Sequence, residues 1–279
     1  EVSLGRRTER SSHREKGAMS SMAPVNRYPM VCGVRDGRLR EVHSLRSAVG
    51  LCGIPSPVIS AVGAGGKTSS IRCLAQEYVE RGQRVIVLTT THMTAEDRPW
   101  FLLEPSEEKM RELLAAYGQA WVGTPAPGGK MQGVPCEFLE IIWKMGLPVL
   151  IEADGARRLP LKVPGEQEPV ILPETTHVLS VYGLDAVGGK IGDVCFRPER
   201  AAALLNKNIT EQITVEDVAF LAASEQAGRK GCPKGAVYTV ILNKADDLRR
   251  RGYALEICNM LKEEGIENTI VTCFGESGG

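Results

Sequence analysis

From Val58 onward, apolar residues alternate between two rhythms: short continuous runs, and longer stretches with apolar positions three and four apart. The runs VISAV, RVIVL, AWV, PVLI, HVLSVY, AVYTVIL and NTIVTCF have the length and β-branched content of buried strands. Between them, IRCLAQEYVERGQ, SEEKMRELLAAYG, residues 136–145, the segment opened by Arg197-Pro198-Glu199, residues 214–227 and residues 248–264 carry helical spacing. Strand and helix in succession predict an α/β three-layer sandwich with a mainly parallel central sheet. Upstream, apolar stretches around Val31 and Leu45 run to a Pro55-Ser56-Pro57 breaker and read as a lead-in beside the first strand. The polar, basic segment 1–24 has no periodicity, does not open with Met, and reads as a tail or an upstream extension of the reading frame. Residues 1–44 are therefore expected to be a disordered or loosely packed extension outside a domain spanning 45–279.

The first strand runs into Gly63-Ala64-Gly65-Gly66-Lys67-Thr68-Ser69 at the start of a helix. Glycines at 63, 65 and 66 let backbone N–H groups approach phosphate oxygens with no Cβ in the way. Lys67 suits the terminal phosphates, the Thr68 hydroxyl suits Mg²⁺, and the helix start favours the anion. The usual spelling G-x-x-x-x-G-K-[ST] places a glycine six residues before the Lys, where this chain has Ala61, so the loop is a shortened G-x-G-G-K-T. This makes 45–279 a candidate P-loop NTPase-like domain. A second Gly-Gly-Lys at 128–130 lacks the Ser or Thr and the helix start, which leaves Lys130 as a loop cation.

Three other strand ends bring polar groups to the carboxyl edge of the sheet, where open α/β sheets bind ligands. After RVIVL come Thr89, Thr90, Thr91 and His92; the histidine is either a strand-end cap or a residue linked to substrate or Mg²⁺. PVLI ends in Glu152-Ala153-Asp154, whose acids alternation sends to one face, as a Walker B element does to hold Mg²⁺. Arg157, Arg158 and Lys162 follow, and with Arg197 they either meet phosphate or an anionic substrate or form a solvated basic surface. AVYTVIL ends in Asn243-Lys244-Ala245-Asp246, the N-K-x-D that reads guanine in GTPases. A buried Asp there disfavours adenine by about 2–4 kcal/mol, because adenine offers neither donor. The alternative is that Asp246 caps the following helix.

Composition narrows the function classes. Lys plus Arg and Asp plus Glu both number 34, so bulk charge gives no reason to expect a nucleic-acid or acidic-membrane partner. Eight cysteines occur without a C-x-x-C pair, which points away from a zinc cage or disulfide framework and toward a reducing cytoplasm. No apolar run approaches a bilayer-spanning length, so no membrane partner is expected.

Taken together, VGAGGKTS, TTTHM, EADGARRLPLKVP with EPVILP, YGLDAVGG, FRPE and LNKADD, in this order over about residues 45–275, resemble the YqeC-type family. The resemblance implies an accessory protein in maturation of a selenium-dependent molybdenum hydroxylase, with that enzyme or its cofactor-maturation proteins as partners. It does not supply a reaction. The residues point to GTP or ATP bound with Mg²⁺, with Lys67, Glu152 and Asp154 assisting chemistry at the γ-phosphate. The readings that stay open are a GTPase or ATPase, a small-molecule ligase or kinase with a Mur-like phosphate loop, and a module that binds nucleotide or cofactor without hydrolysis.

Overall fold

The computed structural model describes residues 29–275. Its centre is a sheet built from β3 (Val58–Gly63), β4 (Val85–Thr89), β7 (Gln119–Val122), β10 (Val149–Glu152), β12 (His177–Gly183), β14 (Val237–Asn243) and β15 (Thr269–Cys273). Two-residue β6 (Phe101–Leu102) extends one edge, and the hairpin β1 (Met30–Arg35) and β2 (Arg38–Glu41) extends the other. The order across the sheet is β2-β1-β15-β14-β12-β3-β10-β4-β7-β6. Every pairing from β15 to β6 is parallel; the hairpin joins antiparallel, with Cys32 opposite Val271.

Successive strand residues bury on opposite faces, which explains the unbroken apolar runs. Ile59, Val85, Val87 and Leu150 pack with Leu45, Ile71, Leu74 and Tyr78 of helices α1 (Leu45–Ala48) and α2 (Lys67–Glu80). Their neighbours Val58, Ile86, Leu88, Val149 and Ile151 pack on the other face against Met110 and Leu114 of α3 (Glu107–Tyr117) and Phe138 and Ile142 of α4 (Cys136–Lys144). Val240 and Leu242 continue that second face toward α7 (Val215–Ala223) and α8 (Leu248–Glu263). The result is the expected α/β P-loop fold: a mainly parallel sheet, covered on both sides.

Two expectations are corrected here. Met30–Glu41 form the edge hairpin of the main sheet rather than a loose extension, because Val31 and Cys32 bury against opposite faces as ordinary strand residues do. The boundary at 45 therefore moves at least to Met30, and residues 1–28 lie outside the described residues. The Gly/Pro-rich stretch after β7 is not simply a loop: β8 (Thr124–Ala126) and β9 (Lys130–Gln132) form an antiparallel pair, which β5 (His92–Thr94) joins. Buried Met93 and Met131 face each other across it, and Lys130 is an exposed strand residue.

Candidate functional site

The loop between β3 and α2 lies at the carboxyl edge, between the ends of β10 and β12. Ala61 is fully buried inside β3, so the turn begins only at Gly63. Gly63, Gly65 and Gly66 all have positive φ, and close neighbours forbid a side chain at each. A Cβ would lie 2.4 Å from the Val181 oxygen at Gly63, 2.3 Å from the Gly183 nitrogen at Gly65, and 2.1 Å from Asn243 Nδ2 at Gly66. The glycines thus let the loop fit against β12 and β14 as well as exposing its N–H groups.

Lys67, at the head of α2, is buried. Its Nζ donates to the Gly63 carbonyl at 2.6 Å and lies 3.1 Å from Asp154 Oδ1. Asp154 also accepts from the Gly63 N–H at 3.1 Å and sits 3.1 Å from Lys162 Nζ. Lys162, on the two-residue strand β11 (Leu161–Lys162), has no exposed side-chain surface; it reaches Glu168 at 2.7 Å and donates to the Gly155 carbonyl at 2.6 Å. Arg197 pairs with the same Glu168 oxygen at 2.7 Å. A line of alternating charge, Lys67–Asp154–Lys162–Glu168–Arg197, therefore leads away from the loop. Burial raises the Glu168 pKa, but hydrogen bonds from Arg197 and Lys162 outweigh it and bring the group down to about 2.

Glu152 has different company. Thr68 Oγ1 donates to its Oε2 at 2.7 Å, and burial raises its pKa against the opposing pull of Lys67 and Thr68. The two acids grouped by strand alternation are thus divided: Glu152 faces the Thr68 hydroxyl, and Asp154, two residues beyond the end of β10, is held by two lysines. The hydroxyl-plus-carboxylate pair fits Mg²⁺, which takes one or two protein oxygens and completes its shell with phosphates and water. Among the described residues, no three His, Cys, Asp or Glu side chains form a ready-made metal cage.

At the end of β14, Asn243 Nδ2 donates to the Gly65 carbonyl at 2.8 Å, while its Oδ1 accepts from Thr272 at 3.0 Å. The N-K-x-D segment is therefore tied to the glycine loop. Lys244 pairs with Asp185 at 2.6 Å. Asp246 is exposed, contrary to a buried reading carboxylate, and its oxygens meet Arg250 at 2.6 Å and the Cys273 thiol. It does not cap α8; Asp247 does, accepting from the Arg250 N–H.

The remaining candidates separate. Ala64 is buried behind the loop, and Ser69 lies on the first turn of α2. His92 is exposed on β5, opposite Gln132, with no contact to the loop residues described above. Arg157 and Arg197 stack on Phe196, at 5.0 and 4.4 Å from guanidinium carbon to ring centre, so Arg197 is held by Phe196 and Glu168 instead of reaching into the cleft. Sequence reasoning missed Glu168, Asp185 and Thr272. A fully buried lysine requires an acid, but nothing in the spacing says which. A cavity of about 340 Å³, lined by Val163, Arg200, Leu204 and Lys230 among others, is lined by none of the loop residues.

A mainly parallel α/β sheet with this glycine cradle, Lys and Thr at a helix head defines a P-loop-like α/β fold with a candidate phosphate loop. The family profile described as "YqeC protein" matches residues 59–199, just over half of the chain, and the chain belongs to the YqeC family. It is 29% identical over 216 residues to YqeC of Escherichia coli (strain K12), covering 75% of this chain and 84% of that one. A crystal structure of the signal recognition particle 54 kDa protein from Aeropyrum pernix K1 in complex with GDP is similar at 18% identity and a TM-score of 0.40. That match covers 81% of this chain, which spans 43% of that protein's length.

Proposed function

We propose that the protein binds and hydrolyses a nucleoside triphosphate, GTP or ATP, with Mg²⁺, as an accessory factor in maturation of a selenium-dependent molybdenum hydroxylase. One observation carries the nucleotide reading: Lys67 and Thr68 stand at the head of α2 beside the glycine cradle, each within 3.1 Å of a buried carboxylate. Lys67 and the loop N–H groups would take the terminal phosphates. Thr68 and Glu152 would hold Mg²⁺, which supplies charge neutralisation at the phosphates. Lys162 has a supporting role. When Lys67 turns from Asp154 to a phosphate, Lys162 keeps the buried carboxylate paired and so lowers the cost of the exchange. The maturation role rests on the family resemblance.

The test is to titrate purified protein with GTP, ATP and CTP, with and without Mg²⁺, and to repeat the series with Lys67→Ala. The variant loses a charge-assisted contact, and its affinity is expected to fall roughly ten- to hundredfold. Unchanged affinity removes the phosphate-loop assignment. Phosphate release that rises with a client protein supports the accessory NTPase; release that needs a small acceptor supports a ligase or kinase; tight binding without turnover supports a binding module.

A further inference from the structure

Among the described residues, six that are not glycine have positive φ, and three of them are arginines at one place: Arg157, Arg158 and Arg197. Arginine has no local reason to adopt the left-handed region, where glycine sits without penalty, and backbone strain of this kind clusters at functional sites. Arg197 already has Glu168 as its partner. Arg157 does not: it is exposed, lies on the face of Phe196, and makes no ion pair among the described residues.

Its segment also borders the phosphate loop. Asp154, three residues earlier, holds Lys67. Pro160, three residues later, accepts from the Gly183 N–H at 2.9 Å, and its oxygen would lie 2.7 Å from a Cβ on Gly65. Phe196 is paired with Lys162 across the β11 ladder, and Lys162 reaches Asp154 from behind. Residues 155–159 are therefore a short arch anchored at both ends on the loop, with an unpaired guanidinium resting on an aromatic ring at its crown. A stacking contact is weak enough to exchange for an ion pair.

We propose that Arg157 is a phosphate-binding residue that leaves Phe196 to contact the terminal phosphate of a nucleoside triphosphate held by Lys67. This rests on the triphosphate reading above and assigns an arginine supplied by the chain itself to the outermost phosphate. Arg157 follows Asp154 by three residues in the chain, and Asp154 holds the Lys67 ammonium that would meet the terminal phosphates, so a diphosphate, which lacks the outermost one, would not engage it.

The experiment compares dissociation constants of the triphosphate and diphosphate forms of guanosine and adenosine nucleotides for the full chain and for Arg157→Gln, Arg157→Gly and Arg158→Gln. In both Arg157 variants the triphosphate is expected to bind roughly tenfold or more weakly, with diphosphate affinity unchanged. Glycine relieves the backbone strain, so Arg157→Gly should melt no lower than wild type, which separates lost contact from lost folding. Equal losses for both phosphate forms, no loss in either, or the same loss in Arg158→Gln each overturns the assignment. A wild-type chain that binds triphosphate with an indifferent Arg157 variant refutes only this inference; a wild-type chain that binds no nucleotide refutes the triphosphate reading and the inference together.

Discussion

The two ends of the candidate nucleotide site carry similar residues in opposite environments. Around the phosphate loop, Asp154 and Lys162 are almost wholly buried, and Lys162 joins two acids that are each held by a second cation. At the N-K-x-D end, Asp246 and Arg250 form an ion pair with side chains 44% and 26% exposed. Charges withdrawn from water must be fully partnered, and each partner then matters; charges in water are interchangeable. The phosphate end is thus built as a fixed device, and the base end as an adjustable one.

Removing one cation from each end gives the strongest test of this contrast. Lys162→Met leaves Asp154 to Lys67 and Glu168 to Arg197, so the loss sits near the low end for a broken buried pair, about 3 kcal/mol, or about 6–12 °C in melting temperature. Arg250→Met should cost about 0.5 kcal/mol. Similar shifts for the two variants in thermal unfolding would erase the contrast. The acid limb sharpens it: Glu168, depressed to about 2 in the folded state, contributes stability that is fully present above the ordinary carboxylate range and lost as pH falls through about 2. In Lys162→Met that limb should move to higher pH.

Glu152 breaks the rule within the phosphate end itself, because its partners do not offset burial. Its raised pKa means that the folded state holds the proton more tightly than the unfolded chain, so Glu152 favours folding at low pH and weakens it as pH rises through the folded pKa. Glu152→Gln keeps an oxygen for the Thr68 hydroxyl and removes the buried charge. It should melt higher at pH 8, by about 1 kcal/mol of stability, with a smaller gain at pH 5, and should lose the Mg²⁺ dependence of nucleotide binding. Unaltered Mg²⁺ dependence would make the acid structural.

Legibility followed the same division. The glycine loop, the strands around it and the helices on both faces could be read from the chain because each depends on contiguous residues: Gly63 to Ser69, or alternation within VIVL and VLIE. What escaped depends on partners distant in sequence. Val31 and Cys32, whose strand also pairs with β2 in the hairpin, join the main sheet only because β15, more than two hundred residues later, offers an edge to pair with. Asp154 and Glu152 share a face by alternation, yet Lys162 and Thr68 draw them to separate tasks. Glu168 lies in a segment with no regular element and is recruited by two cations outside it, Lys162 and Arg197.

The smallest expected effect lies at the base end. A buried, unpartnered Asp246 would favour guanine strongly, but the exposed carboxylate already has Arg250 and the Cys273 thiol as partners. Binding guanine there exchanges existing contacts for new ones, so the net preference for GTP over ATP should be about 0.5–1 kcal/mol, or a few-fold. Asp246→Asn should bring the ratio near one. Asp247→Ala separates the helix role from the base role: it removes the observed cap of α8 and should lower the melting temperature with the base preference intact. Competition of GTP against ATP on the three proteins decides the matter. A preference of a hundredfold or more in wild type would mean that Asp246 sheds both partners and is desolvated around the base, and the adjustable end would then be as fixed as the phosphate end.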